Sequence, residues 1–153
     1  MSMIHVTPRQ VALGNFARDQ GFVLGQIVHL MLRRDGYYAV PLGCLSLWIE
    51  PAVALDQVAI FYNDLRVPVG YVTWAWLSPD AEERLQADEN FVLQFMEWNE
   101  GESLWLLDLF VMPGYGREAM RYIRNTLFPP HQEVSWLRRD ARGFVRKTVR
   151  YRD

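Results

Sequence analysis

One acidic residue stands alone in the most apolar stretch of the chain. Leu104 to Val111 reads as a strand, and Asp108 is its only charge. A carboxylate facing an apolar layer must be paired or put to use, because an isolated charge is costly to bury. Two readings follow: a structural ion pair with an arginine, or an acid–base group in a cleft. The other chemistry-bearing residues are sparse. His5, His29 and His131 lie far apart, and no pair has metal-ligand spacing. Cys44 is the only cysteine, which excludes an internal disulfide and a cysteine-based zinc site. Neither a phosphate-binding loop nor a nucleophile elbow is present. His29 falls in an apolar segment, where a histidine is more often a hydrogen-bonded core residue than a base. Arg117, Arg121 and Arg124 recur at helical spacing and form one basic stripe.

The elements that must position these groups can be read from the pattern. Thr7-Pro8-Arg9-Gln10 carries the signals of a helix start, and Gly21 marks the expected end of that helix. A second, mostly buried helix is expected over 22–34. Leu45, Leu47 and Ile49 alternate with polar or amphipathic neighbours and predict a strand. Strands are also expected over 57–62 and 70–76, with an Asn63-Asp64 turn between them. Ser78-Pro79-Asp80 starts a helix, 104–111 is a strand with Leu104, Leu106 and Phe110 on the face of Asp108, and a helix over 117–127 stops at Phe128-Pro129-Pro130. Residues 133–138 and 144–151 close the chain as a strand pair around Asp140-Ala141-Arg142-Gly143. The fold class is α+β, a mostly antiparallel sheet packed by about four helices.

With 153 residues, half of them hydrophobic, the chain is expected to form one packed domain over 1–153. Met1 to Thr7 lack the features of a signal peptide, and the apolar stretch 22–32 is too short to cross a bilayer, so a cytoplasmic address is expected. Residues 1–137 carry nine Lys/Arg against sixteen Asp/Glu; residues 138–153 carry seven against two. The basic tail, Arg138 and Arg146 included, would attract an acidic partner. Nucleic acid is a poorer match, because the chain as a whole is acidic.

Four blocks in order resemble the RTX toxin-activating lysine acyltransferase family, the hemolysin-activating enzymes. They are Val23-Leu24-Gly25; Pro41, Pro51-Ala52 and Gln57; Pro68-Val69-Gly70-Tyr71-Val72-Thr73-Trp74-Ala75-Trp76-Leu77-Ser78; and Glu97-Trp98-Asn99-Glu100-Gly101 with Trp105-Leu106-Leu107-Asp108. The resemblance implies a twisted sheet similar to that of the GNAT-type N-acetyltransferases. It implies transfer of a fatty acyl group from acyl carrier protein, as a phosphopantetheine thioester, to a lysine ε-amine, with no permanently bound cofactor. The family's catalytic aspartate matches Asp108, and its histidine falls at Tyr37. A tyrosine there can donate a proton to the leaving thiolate or a hydrogen bond to the oxyanion; the opposing reading is an ordinary loop aromatic in a relative that binds without catalysing. Arg117, Arg121, Arg124, Arg138 and Arg146 are the candidates for docking the acidic carrier. Trp74, Trp98 and Trp105 are core residues or the lining of an acyl channel. Partners expected on this reading are acyl carrier protein, an acceptor protein or precursor peptide, and a second copy of the chain.

Overall fold

The computed structural model describes residues 4–6, 16–35, 37–139 and 145–152. Five strands form one sheet in the order β1-β2-β3-β4-β5: Val58–Tyr62, Pro68–Leu77, Ser103–Val111, Val134–Arg139 and Val145–Tyr151. Neighbours are antiparallel except β3 and β4, which run parallel. The architecture is α+β and mostly antiparallel, as the pattern predicts, and is compatible with a GNAT-like fold.

The β1–β2 turn is closed by Asn63, whose side-chain oxygen accepts from the backbone N–H groups of Leu65 and Val67 at 3.0 Å each. At the other end of β2, the Ser78 hydroxyl accepts from Ala81 N–H at 3.3 Å and starts helix α4, Pro79–Ala87.

Among the described residues three α-helices precede the sheet. Helix α1 runs unbroken over Phe16–Met31, so Gly21 does not end a helix, and the start expected at Thr7 lies outside the described residues. One side of α1 buries Ile27, Leu30 and Met31 against Ile60 and Tyr71, and that burial outweighs the weak helix propensity of Gly21 and Gly25. The strand expected at Leu45–Ile49 is instead a pair of short helices, α2 (Cys44–Trp48) and α3 (Glu50–Ala54). Leu45, Ile49 and Val53 succeed one another four residues apart and join the same core cluster, while Leu47 is exposed. A helical period therefore underlies what looks like alternation.

Helix α5 (Gly116–Tyr122) widens into a π-type turn over Ile123–Leu127. It covers the opposite face of the sheet, with Ala119 and Ile123 packed among Leu104, Leu106 and Val134. The closing strand pair is antiparallel, and its expected turn at Asp140–Gly143 lies outside the described residues. Among the described residues no helix is long and apolar enough to cross a membrane.

Candidate active site

Asp108 owes its direction to a break in the strand pattern. Thr73 faces Asp108 across the β2–β3 ladder, but the next residue, Trp74, faces Leu106. Leu107 is the extra residue of a β-bulge, and it turns two consecutive side chains to one face. Trp105 and Leu107 pack into the cluster holding Ala75 and Leu77, and Phe110 packs beside Tyr71. Leu104 and Leu106 pack into the cluster under α5 on the other face. The expectation that Leu104 and Leu106 share the face of Asp108 is therefore corrected: simple alternation holds only up to the bulge. Asp108 stands on the side of Tyr71 and α1.

There both of its carboxylate oxygens accept a hydrogen bond. Arg34 Nη1 donates to Asp108 Oδ1 at 2.9 Å, and the Tyr71 hydroxyl donates to Oδ2 at 2.6 Å. The same Arg34 nitrogen donates to the Tyr71 oxygen at 3.1 Å. Asp108 N–H donates to the Thr73 hydroxyl at 3.1 Å, which fixes the backbone at the bulge. Arg34 and Asp108 side chains are only 19% and 22% exposed, so the pair is largely withdrawn from water. Arg34 leaves its helix axis just after α1 ends, in a turn held by Arg34 N–H to Met31 C=O at 3.0 Å.

Tyr37 completes the group. It opens a single 3-10 turn, Tyr37–Ala39, and its ring lies 3.7 Å from the Arg34 guanidinium carbon in a cation–π stack; the Phe110 ring lies 5.1 Å from that carbon. Burial, then the Asp108 charge, push the Tyr37 phenol above its ordinary pKa, with Arg34 opposing. The same two causes push Tyr71 up strongly. Burial disfavours the charge on Arg34, but Asp108 more than offsets it, and the guanidinium pKa stands above its ordinary value. Both phenols therefore remain protonated donors through the neutral range.

A cleft of about 350 Å³ opens beside this group, between Arg34, Asp35 and Tyr37 on one side and Phe110, Met112 and Pro113 on the other. Asp108 does not line it. Arg34 does, and it donates to the carboxylate. Among the described residues the Nε and Nη2 groups of Arg34 donate to none, and a guanidinium carries donors on all three nitrogens.

The sheet itself divides at this place. Strands β3 and β4 pair only at Leu104–Leu106 with Val134–Trp136, although both continue beyond. The split begins at the bulge, and the β4-facing edge of 107–111 has no strand partner among the described residues. Sequence reasoning names Asp108 and Tyr37, which the structure brings together, and misses Arg34 and Tyr71. The possible ion pair of Asp108 with an arginine was the one available signal for Arg34.

The other predicted groups lie elsewhere. Trp74 is on the α5 face, edge-on to Phe128 with centroids 5.2 Å apart. Trp98 and Trp105 are buried in the cluster around α4; Trp105 Nε1 donates to Glu82 Oε1 at 3.1 Å. None of the three lines the cleft. Arg117, Arg121 and Arg124 are exposed, and Arg124 sits 4.6 Å from the centre of the Tyr151 ring. Arg138 is exposed on β4, and the side chain of Arg146 lies outside the described residues. His29 is exposed on α1 and does not line the cleft. Among the described residues no group of three His, Cys, Asp or Glu could hold a metal ion.

Residues 17–152 match the model of the RTX toxin acyltransferase family, and the chain belongs to that family. Three relatives bracket it. An RTX-III toxin-activating lysine-acyltransferase of Actinobacillus pleuropneumoniae is 34% identical over 107 residues, 70% of this chain and 61% of the relative. An uncharacterized protein of Synechocystis sp. is 27% identical over 123 residues, 79% of this chain and 82% of its own. A lysine-acyltransferase of Vibrio cholerae is 24% identical over 135 residues, 86% and 82% of the two chains. The match thus spans about three fifths of the Actinobacillus enzyme's length.

Proposed function

We propose that this chain transfers a fatty acyl group from the thioester of an acyl carrier protein to an amine of a polypeptide, a lysine ε-amine or a similar group. The observation that carries the reading is the convergence of Arg34, Tyr37, Tyr71 and Asp108 beside a cleft at the point where β3 and β4 part. An unpaired strand edge suits an extended arm that carries amide groups, such as phosphopantetheine, because backbone-like hydrogen bonds can hold it. The names of the relatives, toxin-activating lysine-acyltransferases among them, support the reaction class.

The reaction needs an amine with a free lone pair, donors for the tetrahedral oxyanion and a proton for the leaving sulfur. The guanidinium of Arg34, which lines the cleft, supplies the oxyanion donors. Tyr37, whose phenol stays protonated, supplies the proton to sulfur and recovers one from the new amide nitrogen. Asp108 and Tyr71 do not meet the substrate; they hold Arg34 in place.

The test is intact mass of candidate acceptors after incubation with carrier proteins loaded with short, medium and long acyl chains, beside an Asp108→Ala control. A gain of one acyl group, absent from a folded control, supports the reading. Binding of the carrier without transfer to any acceptor overturns it in favour of a non-catalytic relative.

A further inference from the structure

Of the two carboxylates at this site, one is committed and the other is open. Asp108 accepts from Arg34 on one oxygen and from Tyr71 on the other, and it does not line the cleft. Asp35 does line it, and so does Tyr37, just beyond it in the chain. Among the described residues Asp35 accepts no side-chain hydrogen bond and forms no ion pair. Its two cationic neighbours are turned to other partners: Arg34 donates to Asp108 and Tyr71, and Arg33 Nη1 donates to His29 C=O at 2.7 Å. The charge of Arg34 is matched by Asp108, and Arg33 is exposed, where water and salt screen it. The fold itself does not require a carboxylate here. Asp35 comes just past the end of α1, where the helix dipole favours cations over anions.

We infer that Asp35 is the residue that receives the ε-ammonium of the acceptor lysine in this cleft. The inference rests on the acyltransferase reading above and gives that reaction an acceptor-side residue. The cleft has two unlike walls: Asp35 and Tyr37 on one, Phe110, Met112 and Pro113 on the other. A lysine side chain is divided in the same way, with methylenes that pack on apolar surface and a charged head that needs an acceptor. The ε-amine arrives almost wholly as a cation, its pKa being about 10.4, so its first proton must leave before the nitrogen can attack. Asp35 accepts that proton and passes it to water, because carboxylates as a class hold a proton far less tightly than amines do. The freed nitrogen attacks the thioester carbonyl carbon, a C–N bond forms and the C–S bond breaks. Tyr37 gives its proton to sulfur, and the second proton lost by nitrogen restores the phenol. The products are the amide, the carrier thiol and one proton released to solvent.

The experiment measures binding by NMR titration, with no acyl donor present, of two synthetic peptides that differ at one position. One carries a lysine there and the other norleucine, which keeps the carbon chain and lacks the charge; both are blocked at each end. The parent protein is expected to bind the lysine peptide about fivefold to tenfold more tightly. Asp35→Asn is expected to bind the two alike, and Asp35→Glu, which keeps the charge, to retain most of the preference. With an acyl-carrier-protein thioester added, Asp35→Asn is expected to raise KM for the lysine peptide by a similar factor while KM for the carrier stays the same. A parent preference below about twofold, no binding of the lysine peptide below ~10 mM, or an undiminished preference in Asp35→Asn overturns the inference. Each of these leaves the acyltransferase reading to stand on its own transfer experiment. An Asp35-dependent preference for lysine without transfer from any carrier supports the ammonium site and overturns the acyltransferase reading instead.

Discussion

Arg34 is the residue on which the others depend, since it touches Asp108, Tyr71 and the Tyr37 ring at once. Tyr37 by contrast donates to nothing among the described residues, so its hydroxyl can be removed with little structural cost. Tyr37→Phe is expected to lower kcat by on the order of a hundredfold or more, leaving carrier binding and thermal stability nearly unchanged. Steady-state kinetics beside a melting curve checks this, and unchanged kcat would remove Tyr37 from the mechanism. Tyr71 makes a different prediction. Its folded-state pKa is raised above the ~10 of the unfolded chain, so its contribution to stability is complete below pH ~10 and is lost as pH rises beyond. Denaturant titrations between pH 9 and pH 11 (roughly the range bracketing an ordinary tyrosine) should show stability falling with pH, and less steeply in Tyr71→Phe. At this scale the sequence was half legible. A lone carboxylate in an apolar strand announces itself, but its partner is 74 positions away in the chain, and nothing local to Arg34 distinguishes it from Arg33.

Among the elements, strand β3 carries the most consequence, because its bulge decides the face on which Asp108 stands. Binary patterning cannot see a bulge in a run of apolar residues, for every register of Leu104–Leu107 looks equally good. The short helices α2 and α3 were hidden for a related reason: five residues hold little more than one helical turn, too few to separate a period of two from one of 3.6. Strands β1, β2 and β4 and helix α4 were readable because β-branched runs, the Asn63 turn and the Ser78 cap all point one way. One glycine shows how tightly the elements meet. A Cβ added at Gly101 would lie 1.9 Å from the backbone of Leu77, at the site where Gly101 N–H donates to Trp76 C=O at 3.0 Å. Gly101→Ala is therefore expected to destabilise by on the order of 3 kcal/mol, read as a lower urea midpoint with an unchanged slope. A midpoint within error of the parent would show that the loop shifts at little cost.

On the scale of the whole molecule, charge is segregated although the total is small. Arg117, Arg121 and Arg124 are exposed on one stretch, and Arg138 on β4 is exposed as well. An acidic carrier protein steered to them would associate more weakly as salt screens the attraction. KM for the acyl carrier is expected to rise several-fold between low salt and ~0.3 M salt, and Arg117→Glu with Arg121→Glu to raise it at low salt while leaving kcat alone. A salt-independent KM would place the carrier elsewhere. The mostly antiparallel α+β class was legible from the alternation of apolar runs and turns, whereas the parallel pairing of β3 with β4 was not, since it joins residues 30 apart across a helix.

That pairing has a mechanical side. Among the described residues three residue pairs stitch β1, β2 and β3 to β4 and β5 within the sheet; the remaining hold comes from α5 and the side chains beneath it on one face, and on the other from Leu137 in the α4 cluster and the Thr148–Gln86 and Arg150–Glu82 contacts. A sheet so joined has a seam. Pulled between β1 and β5, it should tear first along the line from Leu106 to Trp136, leaving two intact ladders on either side. The crevice beside Asp108 is the open end of that seam, so the line along which the sheet should part first runs into the cleft where the proposed acyl arm would enter.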